Sequence, residues 1–188
     1  MSLENLGEHF DIHGGGPDLL FPHHENEIAQ SECASDHQFA NYWMHSGLLK
    51  INGEKMSKSL GNFAMLKDLF ASYHPEVIRY YLISSHYRSS LNFDNESLDQ
   101  ARSALTRLYQ ALSLAPSEES DLHDDSVKEF IDSMNDDLNT PKFLGEMFEY
   151  INKNKNGDQT QITDMKSTIK FLFYLIIESI SLDIHGWF

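Results

Sequence analysis

The chain has 188 residues, a formal net charge of −15, 40% hydrophobic and 12% aromatic residues, and one cysteine. This composition predicts a packed core rather than a disordered chain, and a single cysteine excludes an internal disulfide framework. Because the sequence shows neither an apolar run of roughly 20 residues nor a signal-peptide pattern, we expect a cytoplasmic protein without a membrane partner.

Residues 1–63 are rich in glycine and histidine and show little helical periodicity. Pro22, followed by His-His-Glu-Asn-Glu, predicts a loop that enters a helix with proline in its first turn. The apolar run 48–51 ends at Asn52-Gly53, a dipeptide that strongly favours a tight turn after a strand. The polar residues 55–62 are predicted to form a loop.

From residue 64 onward, apolar residues recur at spacings of three and four, which predicts helices. Asn139 followed by Thr140-Pro141 predicts a helix start with a capping side chain and an early proline. An acidic linker is expected at 115–125. The helices are predicted at about 65–73, 75–82, 96–114, 127–134, 140–154 and 162–180.

The charged residues are distributed unevenly along the chain. Nine acidic residues and one lysine lie in 117–137, whereas all four arginines lie in 79–107. An acidic protein can carry a local basic patch that binds nucleic acid. The same arginines could equally be solvated helix residues paired with nearby acids, and the sequence alone leaves both interpretations open.

His23 and Glu27 stand four residues apart, so a helix beginning at Pro22 would direct both side chains to one side. An imidazole nitrogen and a carboxylate oxygen are suitable Zn²⁺ ligands, although two ligands do not complete a tetrahedral site. By spacing alone, a solvated helix face is the more common outcome for such a pair. Metal binding is therefore one of two hypotheses.

Lys55 and Lys58 lie three residues apart in a loop rich in serine and glycine. A lysine ammonium on a flexible stem in a mobile loop can approach a leaving pyrophosphate as charge develops on it. An isolated Lys-x-x-Lys pair is more often part of a solvated surface loop.

The run Lys55-Met56-Ser57-Lys58-Ser59 is identical to the KMSKS signature of class I aminoacyl-tRNA synthetases, and the segment from His13 to Glu27 is similar to one specific to cysteinyl-tRNA synthetases. Further matches, at 41–47, 85–89 and 134–141, follow in the family's order. The chain thus resembles class I cysteinyl-tRNA synthetases over about residues 9–145.

The resemblance implies a mainly α chain. Residues 1–63 would be the truncated end of a Rossmann-like α/β catalytic domain, 64–95 a connective region, and 96–188 an α-helical bundle that contacts tRNA. The implied activity is activation of cysteine with ATP and Mg²⁺, followed by transfer to tRNA(Cys). The HIGH signature is absent, so we expect a fragment that lacks the N-terminal half of the catalytic domain and is inactive alone. The parent enzyme is expected to be a monomer.

The resemblance also implies roles for individual residues near the cysteine substrate. His23 and Glu27 match two of the family's four zinc ligands, and the other two are cysteines in blocks that precede this segment, so this chain would hold a zinc half-site. Zinc binds a thiolate far better than a hydroxyl, which would select cysteine over serine. His13 would line the cysteine pocket. Cys33 matches no ligand position and is expected to be a small buried residue.

Four residues are implied to bind ATP or to act during its cleavage. Lys58, the second lysine of the signature, matches the residue that contacts ATP, and Lys55 is expected to support it. Gly16 and Asp18 fit the Gly-x-Asp element that meets the adenosine ribose.

Two other functions remain as alternatives. One is a related enzyme that joins cysteine to an amino sugar in thiol cofactor synthesis and needs no tRNA-binding surface. The other is a non-catalytic helical module that binds RNA or another partner. The intact KMSKS signature, together with the intact pair of His23 and Glu27, favours the synthetase.

Overall fold

The computed structural model describes residues 2–56, 61, 65–113, 124–154 and 167. These residues form two compact units, one from residues 1–63 with 87–92 and the other from 64–86 with 93–188. In chain order, the helices and strands of the described residues are α1 (Ser2–Leu6), β1 (Phe10–Gly15), α2 (Glu25–Ser35), β2 (Ala40–His45), β3 (Leu49–Ile51), β4 (Glu54–Lys55), α3 (Leu66–Leu69), α4 (Pro75–Ile83), β5 (Leu91–Phe93), α5 (Asn95–Ser113), α6 (Asp124–Asn135) and α7 (Thr140–Asn154).

In the first unit, β1 and β2 form a parallel pair in which His13 lies opposite Trp43. Parallel strands need a long crossover connection, and α2 lies within it. Side chains alternate across a strand, so the neighbouring pair Ile12 and Tyr42 faces the other way, and these side chains are 57% and 69% exposed. The two-stranded sheet of β1 and β2 therefore has one face that carries His13 and Trp43 and an opposite, exposed face that carries Ile12 and Tyr42.

The segment between β1 and α2 differs from the predicted helix start. Pro17–Leu19 is a short 3₁₀ helix, and Leu20–His24 is a kinked turn in which Phe21 has an extended backbone (φ −134°, ψ 132°). Helix α2 therefore begins at Glu25 rather than at Pro22. The kink leaves Phe21 78% exposed while His24 is only 2% exposed.

The prediction that Cys33 is buried is wrong, because its side chain is exposed. Helix α2 packs through the face that carries Ser31, which is 9% exposed. Cys33 follows two positions later, about 200° around the helix axis, and so points away from that face. No composition-based argument fixes the rotation of a helix about its axis.

The predicted strand and the tight turn that follows it at Asn52-Gly53 are confirmed, and a second strand that the sequence did not predict, β4, makes them a hairpin. Strands β3 and β4 are antiparallel, with Lys50 opposite Lys55, and both turn residues have positive φ angles, 51° and 84°. Strand β5 lies on the other side of β3. The hairpin therefore fixes the backbone of Lys55 at the edge of the KMSKS segment, whose residues 57–59 lie outside the described residues.

In the second unit, α4 packs against α5, and α6 packs against α7. The most deeply buried side chains include Leu98 and Leu108 on α5, both 0% exposed, and Phe143 on α7, 1% exposed. Helix α5 confirms the predicted helical periodicity. The Asn139 side chain caps α7 as predicted, because its Oδ1 accepts a hydrogen bond from the Lys142 amide at 3.2 Å.

The predicted helix at 65–73 is shorter in the structure, where α3 covers only Leu66–Leu69. The helix predicted at 162–180 lies outside the described residues, apart from residue 167. Among the described helices, none combines the length and the apolar character needed to cross a membrane.

Candidate functional site

The candidate site lies in the first unit, where the carboxyl ends of the parallel strands β1 and β2 meet the start of α2. This edge of a parallel sheet is where α/β folds bind their ligands. Strand β1 contributes His13, β2 ends at His45, the turn before α2 supplies His23 and His24, and the first turn of α2 supplies Glu27.

The Glu27 carboxylate lies between two imidazole rings. Its Oε2 is 3.0 Å from Nε2 of His13, and its Oε1 is 3.5 Å from Nε2 of His23. The His13 side chain is 20% exposed and the His23 side chain 59% exposed. The structure thus brings His23 and Glu27 together, as their spacing suggested, and adds His13 from the neighbouring strand.

Oε2 of Glu27 can accept hydrogen bonds, but no described residue donates one to it with good geometry. Oε2 is buried, and it makes no hydrogen bond of acceptable geometry within the described part of the chain. His13 lies 3.0 Å away, so the two groups are close but poorly aligned. A buried carboxylate oxygen without a good partner costs free energy and is suited to binding a cation.

His24 and His45 form a hydrogen-bonded pair that the sequence argument did not identify. His24 Nδ1 lies 2.9 Å from His45 Nε2, so one ring donates and the other accepts. Burial lowers the pKa of His24, and the nearby His13 lowers it further, which favours the neutral ring needed for this pair. The only sequence signal was the adjacency of two histidines after Pro22, which does not say which of them turns inward.

Aromatic rings enclose the inner imidazoles. The Trp43 ring centroid lies 4.7 Å from that of His13 and 5.1 Å from that of His24, and Phe39 lies 5.3 Å from His13. Gly15 provides the space for this packing, because a Cβ atom there would lie only 2.8 Å from Cε1 of His24. These contacts fix the ring orientations and restrict the access of water.

The donor atoms of the cluster fit a zinc ion. Ligand atoms of His13, His24 and Glu27 all lie within 4.8 Å of one another, and imidazole nitrogen with carboxylate oxygen is a donor set that zinc accepts. The carboxylate of Glu27 also lies beside His23, its predicted partner. The described residues therefore offer two donor sets that have Glu27 in common: His13 and His24 with Glu27, and His23 with Glu27.

The residues assigned to ATP by resemblance lie at the start of the 3₁₀ turn and at the end of the hairpin. Nζ of Lys55 is 3.1 Å from Oδ2 of Asp18, and both side chains are just over half exposed. This hydrogen bond from Lys55 lowers the pKa of the Asp18 carboxyl. Gly16 immediately precedes the turn, and a Cβ there would lie 2.5 Å from Asp18 Oδ1. Lys58 lies outside the described residues.

Arginines of the second unit contact both acids and aromatic rings. Arg102 is 3.3 Å from the Asp99 carboxylate and lies over the Tyr73 ring, 4.7 Å from its centroid. Arg107 lies 4.6 Å from the centroid of Phe148. These contacts agree with the ion-pair interpretation for Arg102, and they do not test a nucleic-acid surface.

Two protein families match the chain. Residues 1–103 match the family described as tRNA synthetases class I (C) catalytic domain, and residues 129–175 match the DALR domain.

Two similar proteins, both named cysteine–tRNA ligase, come from Hydrogenovibrio crunogenus and Azotobacter vinelandii. The first is 52% identical over 160 residues, which cover 83% of this chain and 35% of the relative. The second is 50% identical over 175 residues, which cover 92% of this chain and 38% of the relative. The chain thus spans less than two fifths of the length of these relatives.

A similar solved structure is that of LeuRS from Agrobacterium radiobacter K84 in a ternary complex with tRNA and LeuAMS. The TM-score is 0.71 at 16% identity, and the match covers 91% of this chain and 26% of LeuRS. At this identity, the likeness establishes the fold and no more.

Proposed function

The chain belongs to the class I cysteinyl-tRNA synthetase family, and on that premise we propose that it serves the ATP-dependent activation of cysteine and its transfer to tRNA(Cys). The observation that carries the proposal is the position of Glu27 between the imidazoles of His13 and His23. The pair formed by Asp18 and Lys55 lies in the same unit. An amino-acid pocket and a nucleotide pocket are the two parts that adenylate formation needs.

In this proposal, His23 and Glu27 bind zinc, and two cysteines that this sequence does not contain complete the site, since Cys33, its one cysteine, matches no ligand position. When bound, zinc supplies a Lewis acid that prefers a thiolate to a hydroxyl, which distinguishes cysteine from serine. The buried Oε2 of Glu27, which lacks a well-aligned hydrogen bond among the described residues, supports a cation here. His13, whose Nε2 lies 3.0 Å from Glu27 Oε2, lines the cysteine pocket.

Asp18 and Gly16 would hold the adenosine ribose, while Lys58, which Lys55 supports, would stabilise the pyrophosphate that leaves ATP with its Mg²⁺. A carboxylate is a suitable acceptor for ribose hydroxyl groups. An aspartate is ionised at neutral pH even at its ordinary pKa, and the hydrogen bond from Lys55 lowers the pKa of Asp18 further. Lysine ammonium groups offset the negative charge that develops on the leaving group.

We assign residues 64–95 to the connective region and 96–188 to a tRNA-contacting helical bundle in a cytoplasmic monomer. The match of residues 129–175 to the DALR domain supports a helical bundle of the synthetase type. The sequence identity of about 50% to proteins named cysteine–tRNA ligase favours tRNA over an amino sugar as the acceptor of the cysteine. It also favours an enzyme over a non-catalytic module.

The test is amino-acid-dependent ATP–pyrophosphate exchange by the intact gene product that contains this chain, over all twenty amino acids. We expect exchange with cysteine only, loss of exchange with a zinc chelator, and loss in Lys58→Ala. Lys128→Ala, which removes an exposed lysine from α6, is the matched control and should exchange normally. Exchange with a different amino acid, or with none, would refute the proposed function.

A further inference from the structure

Lys55 and Asp18 form an ion pair that joins the KMSKS hairpin to the turn before α2. We propose that Lys55 is a positioning residue, which acts on ATP through Asp18 by holding the carboxylate in the orientation that binds the ribose. The inference rests on the proposed function, because it assumes that Asp18 meets the nucleotide. It assigns Lys55 a role at the ribose end of ATP, separate from the role of Lys58 at the phosphates.

Both ends of this ion pair have a fixed backbone. Lys55 is paired with Lys50 in the β3–β4 ladder, and the next amide, that of Met56, donates to the Leu49 carbonyl at 3.1 Å. Asp18 lies in the 3₁₀ turn, which is closed by a hydrogen bond from the Leu19 amide to the Gly16 carbonyl at 3.1 Å. The side chains therefore bridge two ordered backbone segments.

The two oxygens of Asp18 have different surroundings. Oδ2 accepts the hydrogen bond from Lys55 at 3.1 Å. Oδ1 lies over the Cα atom of Gly16, where a Cβ atom would come within 2.5 Å of it. Glycine thus leaves the room for this rotamer and Lys55 holds it from the other side. An oriented carboxylate loses less freedom when a ribose hydroxyl binds, which favours binding.

The expected effect is modest because both side chains are about half exposed. Exposed ion pairs couple weakly, and a coupling of that size corresponds to about a two- to fivefold change in affinity. Thermodynamic coupling is reciprocal, so a ribose bound at Asp18 also restricts Lys55 and the hairpin end that carries it.

The experiment measures KM and kcat for ATP, 2′-deoxy-ATP and 3′-deoxy-ATP in cysteine-dependent exchange by the intact gene product. The variants are Lys55→Met, Lys55→Arg, Asp18→Asn and the double variant Lys55→Met with Asp18→Asn. Lys50→Ala is the control, since it removes a lysine from the same hairpin. Methionine keeps an unbranched apolar stem, and a thermal unfolding scan of each variant confirms that it is folded.

We expect Lys55→Met to raise KM for ATP by about two- to fivefold with little change in kcat. The effect should vanish with the deoxy analogue that lacks the hydroxyl bound by Asp18, and in the Asp18→Asn background. Lys55→Arg should restore KM.

A fall in kcat that is equal for all three nucleotides and additive with Asp18→Asn would overturn the inference, because it would place Lys55 at the phosphates. So would a Lys55→Met enzyme indistinguishable from the wild type. A wild-type protein that shows no cysteine-dependent exchange would instead refute the proposed function itself.

Discussion

The substitution Gly15→Ala is predicted to disrupt the packing of His24 against its neighbours, because the added methyl group would collide with the His24 ring. The new methyl group would lie 2.8 Å from His24 Cε1, 3.0 Å from its Nε2 and 3.0 Å from Leu19 Cδ1. Since His24 is 2% exposed, its ring has little room to move away without losing the 2.9 Å hydrogen bond to His45. Overpacking of this kind costs about 1–3 kcal/mol, and the lost hydrogen bond adds about 1 kcal/mol.

We therefore expect the free energy of unfolding of the first unit to fall by about 2–4 kcal/mol. Urea unfolding followed by Trp43 fluorescence measures it, in a Trp187→Phe background so that one tryptophan reports. The matched control is Gly145→Ala in α7, where the same methyl group would meet no atom within 4 Å.

A Gly15→Ala protein with wild-type stability in this assay would refute the packing that we infer around His24. A loss in the Gly145→Ala control as large as that in Gly15→Ala would show that the method does not resolve local packing.

The remaining predictions concern the metal, the core and alkaline pH. Glu27→Gln should weaken zinc binding at least about tenfold in competition with a chromophoric chelator, whereas Glu25→Gln, an exposed neighbour on α2, should not; equal affinities would remove Glu27 from the metal site. Leu108→Ala, at a side chain with 0% exposure, should cost about 2–5 kcal/mol in urea unfolding, and a loss below that of the exposed Leu82→Ala would contradict the core assignment. Burial, with a smaller effect of Asp94, raises the pKa of Tyr81 to about 12 from 10.0. The contribution of Tyr81 is therefore fully present below pH 10 and is lost as the pH rises toward 12, by up to roughly 3 kcal/mol. Tyr81→Phe should flatten that part of the stability profile, and an unchanged profile would argue against a raised pKa.

Local chemistry explains which parts of the fold could be predicted. The Asn52-Gly53 turn follows from residues that tolerate positive φ angles, and α5 follows from its apolar spacing. The predicted helix at 65–73 proved too long, because α3 ends at Leu69 and residues 70–73 form a turn and a bend. The next residue, His74, precedes Pro75 and adopts an extended backbone (φ −60°, ψ 140°), which a residue before proline favours. A helix cannot continue through that position.

The candidate site was only partly predictable. The pairing of His23 with Glu27 depends on a spacing of four residues, which the sequence displays. The contact of His13 with Glu27 and the pair of His24 with His45 depend on strand pairing and on the kink at Phe21. His24 and His45 are 21 positions apart and lie on different elements, as do His13 and Glu27, so these contacts form only when the fold is complete and carry no local signature.

The kink at Phe21 makes two adjacent histidines unequal: His23 is mostly open to solvent while His24 is enclosed. This difference in exposure between His23 and His24 depends more on the number of residues between the 3₁₀ turn and α2 than on which side chains those residues carry. An insertion or deletion of one residue in this segment would rotate the histidines relative to Glu27 and exchange their environments. The segment should accordingly accept many changes of side chain at Leu20 or Phe21, yet reject a change of length.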